Sequence, residues 1–112
     1  LYMDALFARL GLAERLAERI TRLDDGAAVM RQVAGGRGAG EIGFAPVTEI
    51  LSAARDSAVR LVGPLPPDVQ SHTAYIAAPL RAAAARVRPL LAWLADGRAR
   101  AMLAAAGVEP AP

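Results

Sequence analysis

The chain has 112 residues and a mass of 11.6 kDa, the length of one domain, and a folded unit of that size buries roughly 65% of the surface its extended form exposes. Hydrophobic residues at 54% against 21% charged exclude the disordered classes, the lack of any long uninterrupted apolar run excludes a bilayer-spanning helix, and the absence of cysteine excludes disulfides, thiolate metal sites and thiol nucleophiles. The net charge of +2 comes from 13 arginines without a lysine, interleaved with acids as in Arg15 beside Glu14 and Glu18, and there are few aromatic rings, so nucleic acid is not an expected partner.

Met3, Leu6, Phe7 and Leu10 recur at helical spacing, and Gly11 follows where a left-handed cap is wanted. Leu12, Leu16 and Ile20 repeat the pattern and predict a second short helix over 12–18. Residues 20–23 then read as a short strand. Asp24 and Asp25 can cap a helix carrying Ala28, Val29, Gln32 and Val33, and the glycines 35, 36, 38 and 40 end it as a connector. That glycine-rich stretch follows a helix and lacks a Lys-Ser/Thr pair, which sets it apart from a phosphate loop.

The run EIGFA (41–45) predicts a buried strand, and Pro46 suits the start of a helix reaching about Ala54. AVRLV (58–62) is the next expected strand, closed by Gly63-Pro64-Leu65-Pro66-Pro67, whose prolines lack ladder donors. HTAYIAA (72–78) is a further strand, and helix resumes near Ala82. Pro89 must kink that helix or open a fresh one near Arg88, and Asp96 caps a last helix ended by Gly107. This alternation predicts an α/β fold with a parallel or mixed sheet flanked by helices.

Little here points to bond-making chemistry. His72 is the single imidazole, and Ser71 beside it would project to the opposite face of a strand, which is not triad geometry. Asp24 and Asp25 read as a cap rather than an acid–base pair, and no side-chain cluster has metal-ligand spacing, so neither a metal nor a cofactor is expected. The helix starting at Gly26 offers unpaired first-turn amides and partial positive charge, an arrangement that suits an anion.

The order of four stretches, YMDALFARLGL (2–12), GEIGFAPVTEIL (40–51), LVGPLPPDVQSHTAY (61–75) and LLAWLADGRARAMLAAAGVEP (90–110), resembles the type 2 periplasmic solute-binding proteins of ABC transporters, in particular the molybdate-binding kind. The resemblance implies a periplasmic-binding-protein-like lobe over residues 1–70, incomplete at its N-terminus, and a hinge strand with C-terminal helices over 71–112 that would pack on a missing first lobe. It implies solute capture for an importer rather than enzymatic activity, an ABC permease as partner, and a periplasmic or extracytoplasmic location with an export signal upstream. By position, the ligand-binding residues it implies are Gly26 and Ala27 at one helix start and Ala45, Pro46 and Val47 at a strand-to-helix turn. Molybdate binders often place a tyrosine at that turn; Pro46 offers neither hydroxyl nor amide hydrogen, so a small organic acid is as well suited as an oxyanion.

Two other functions fit the same residues. One is an effector-sensing domain of a transcription regulator, which reuses the fold. The other is a self-associating interaction module, because Leu90, Leu91, Trp93, Leu94, Met102 and Leu103 carry more apolar surface than a half-protein hides, so a homo-oligomer or an exchanged lobe is expected.

Overall fold

The computed structural model describes residues 2–36 and 40–109; Gly38 of the glycine connector and the closing Pro110 lie outside the described residues. Its helices follow in the order α1 (Tyr2–Arg9), α2 (Ala13–Leu16), α3 (Gly26–Ala34), α4 (Val47–Ala53), α5 (Ala84–Leu94) and α6 (Gly97–Ala105). Single 3-10 turns stand at Ala17–Arg19, Pro67–Val69 and Arg81–Ala83. None of these helices is long and apolar enough to cross a membrane. The chain divides into two compact units, Leu1–Ser71 and His72–Pro112.

The expected α/β fold is corrected here. Among the described residues there is no strand and no sheet: 20–23, 41–45, 58–62 and the supposed hinge strand 72–78 all run as irregular chain. An apolar β-branched run reports that a segment would suit a ladder, but the ladder itself needs a neighbour offering carbonyls and amides in register. These four segments do not pair with one another. Val59 is buried, but Ile42, Val62 and Ile76 face solvent, 75%, 88% and 89% exposed. Pro46, Pro64, Pro66, Pro67 and Pro79 beside them have no amide hydrogen to contribute.

In the first unit, α1 supplies the buried Leu6 and α3 the buried Met30. The Phe7 ring meets Phe44 edge-on, centroids 5.9 Å apart, tying α1 to the turn before α4. Tyr2 donates its hydroxyl hydrogen to the Val69 carbonyl, and the Leu65 amide donates to Gln70 Oε1 at 2.8 Å, which fastens the proline-rich turn from inside. On the surface Arg22 reaches Asp4 Oδ1 with Nη2 at 2.7 Å and Nε at 3.0 Å. That hydrogen bond holds the Asp4 carboxyl below its ordinary range, so what the pair contributes is present at neutral pH and fades as acid protonates Asp4.

In the second unit, α5 runs unbroken through Pro89, which removes one internal hydrogen bond without ending the helix. Asp96 caps α6 by accepting from the Arg98 amide at 3.1 Å, and Ala99 is the buried residue of that helix. Leu90, Trp93 and Met102 stay exposed.

Candidate functional site

The geometry around α3 begins with local capping. Asp25 sits in extended backbone at the N-cap, and its carboxylate accepts from the Ala28 amide at 2.6 Å while its carbonyl takes the Val29 amide at 3.1 Å. Replacing Asp25 by alanine should cost about 1 kcal/mol of the first unit's stability, read as a lower urea midpoint. An unmoved midpoint would mean that the cap contributes nothing to holding α3. The amides of Gly26 and Ala27, ahead of these two, have no acceptor among the described residues.

From α3 the chain returns across the same face. A β-carbon placed on Gly43 would press against Val29, Met30 and Val33, whereas one placed on Gly26 would lie 3.1 Å from Ala45 Cβ. The segment 43–45 therefore runs back along α3 and delivers Pro46 beside the helix start. Pro46 is the N-cap of α4, and its carbonyl accepts from Glu49 and Ile50 at 3.0 and 3.1 Å. Val47 and Thr48, the next two residues, have amides with no acceptor among the described residues.

The structure thus brings Ala45, one residue before the Pro46 cap of α4, beside Gly26 at the start of α3. Ala27 is exposed and Gly26 half-buried, so solvent reaches this turn. Pro46 itself shapes the backbone and donates nothing.

Glu49 is the residue that sequence reasoning missed. Its carboxylate lies against Gly26, in the space where a side chain at position 26 would begin. The available signal was its place as the third residue of α4, where an acid interacts favourably with the partial positive charge of a helix start. With the Asp25 cap, it makes a second carboxylate at the start of α3. At about 4 Å two unit charges near a protein surface interact by up to about 4 kcal/mol, so a compact dianion meets repulsion here that a monoanion meets at half strength. Among the described residues no three His, Cys, Asp or Glu side chains stand close enough to hold a metal ion.

No curated protein and no solved structure matches the chain. A family model, the bacterial extracellular solute-binding protein, matches residues 1–109. With nearly its whole length covered by that match, the chain belongs to the bacterial extracellular solute-binding protein family.

Proposed function

We propose that this chain takes part in capturing a small carboxylate for an ABC importer, holding it at the adjoining starts of α3 and α4 and passing it to a membrane permease. Membership of the family supports solute capture for a transporter, an extracytoplasmic site of action and a binding role rather than a catalytic one. The observation that carries the choice of ligand is the pairing of unclaimed amides at Gly26, Ala27, Val47 and Thr48 with the carboxylates of Asp25 and Glu49. Unpaired first-turn amides favour an anion, and the neighbouring acids favour one negative charge over two. Pro46, which has no hydroxyl to offer, argues in the same direction against a molybdate-like oxyanion.

Calorimetric titration of the chain with acetate, lactate, sulfate and molybdate tests this. A saturable heat with a monocarboxylate is expected, and Val47→Pro should weaken it about tenfold, since proline at the first position of a helix removes the amide hydrogen and keeps the backbone. A flat response across the panel from a chain with its helical circular dichroism intact would overturn the capture site. Tighter binding of molybdate than of any carboxylate would overturn the choice of ligand.

A further inference from the structure

Farther along the same two helices lies an open groove of about 390 Å³, within the size range of small-molecule sites. Met30, Ala27 and Ala53 give it an apolar floor, while Arg31 of α3 shares its rim with Glu49 of α4 and with Asp56 just beyond that helix. These three charged groups enter no ion pair with each other or with anything else among the described residues. A guanidinium and two carboxylates therefore share one small groove without neutralising one another. Each side chain is therefore available to a guest.

A guest that satisfies both signs and the floor needs a carboxylate, an ammonium and an apolar body within a few bonds. A simple anion would leave the carboxylates opposed to it, and a simple cation would leave Arg31 so. We propose that the α3–α4 groove binds a free aliphatic α-amino acid, with its carboxylate on Arg31, its ammonium on Asp56 under the added negative potential of Glu49, and its side chain over Met30 and Ala53. The guanidinium fork is suited to a carboxylate, which it can hold through two parallel hydrogen bonds. This inference shares Ala27 and Glu49 with the carboxylate reading of the helix starts but is carried by Arg31 and Asp56, which take no part in that turn.

Amide chemical shifts of the full chain, followed by NMR, test it with three probes: leucine, 4-methylpentanoate, which lacks the ammonium, and 3-methylbutylamine, which lacks the carboxylate. Leucine should move the Ala34 and Ala53 amides saturably, with each truncated probe at least about tenfold weaker. Arg31→Ala should weaken leucine about tenfold and Arg31→Lys less, both with unchanged helical circular dichroism because the side chain is exposed. No saturable shift with leucine would overturn the proposal. So would 4-methylpentanoate binding as tightly as leucine, or an Arg31→Ala chain that binds leucine unchanged.

Discussion

Leu6→Ala is expected to lower the stability of the first unit by about 2–4 kcal/mol, the cost of deleting a buried leucine and leaving part of its space unfilled. Leu6 is 4% exposed, and among the described residues of that unit only Met30 and Val59 are comparably covered. A core with so few fully buried side chains has little reserve, since whole domains hold only about 5–15 kcal/mol. The measurement is a urea titration followed by far-ultraviolet circular dichroism, in which the midpoint should fall by about 1–2 M while the slope stays the same. Leu10→Ala, in the turn directly after this helix, is the control: at 52% exposed it should change stability by no more than about 0.5 kcal/mol. If the two variants unfold together, Leu6 is not the anchor of α1.

Gly43→Ala is the second substitution with a large expected effect, and it acts by overfilling. The added β-carbon would come within 2.7 Å of Val29 Cγ1, 2.9 Å of Val33 Cγ2 and 3.3 Å of Met30 Cε. Valine on a helix is nearly fixed in one rotamer, so Val29 and Val33 cannot swing aside, and the segment before α4 must lift off α3. Overpacking of this kind costs about 1–3 kcal/mol. In a unit of this size that lowers the thermal midpoint by about 5–15 °C. Combining it with Val33→Ala should recover part of the loss, because the two residues compete for one space. An unchanged midpoint in Gly43→Ala would show that the return segment does not lie on α3.

The helix ends were legible because each depends on a few adjacent residues. Gly11 and Gly107 adopt φ of +67° and +86°, the left-handed conformation that their place after α1 and α6 requires. Asp25 and Asp96 accept from the second or third amide that follows them, as caps do. The expected helix over 12–18 appears as α2 followed by a 3-10 turn. The strands were not legible for the opposite reason. Whether Ile42, Val62 or Ile76 joins a ladder depends on a partner segment far away in sequence, and alternation of apolar residues carries no information about that partner.

The candidate site divides along the same line. Gly26 and Asp25 could be read locally as a capped helix start. That Ala45 and Glu49 come to lie beside Gly26 depends on the chain doubling back over α3, which rests on the space left by Gly43. Glu49 was therefore invisible as a neighbour of Gly26 until the two helices were placed side by side.

Trp93 is the chain's single tryptophan, and it stands on α5 in the His72–Pro112 unit. Indole emission is thus a built-in reporter of one unit only, while the Leu1–Ser71 unit, with Tyr2 as its one phenol, stays dark in that channel. Two unfolding traces, one from emission and one from backbone ellipticity, would coincide if the units melt as one cooperative body and separate if each melts alone.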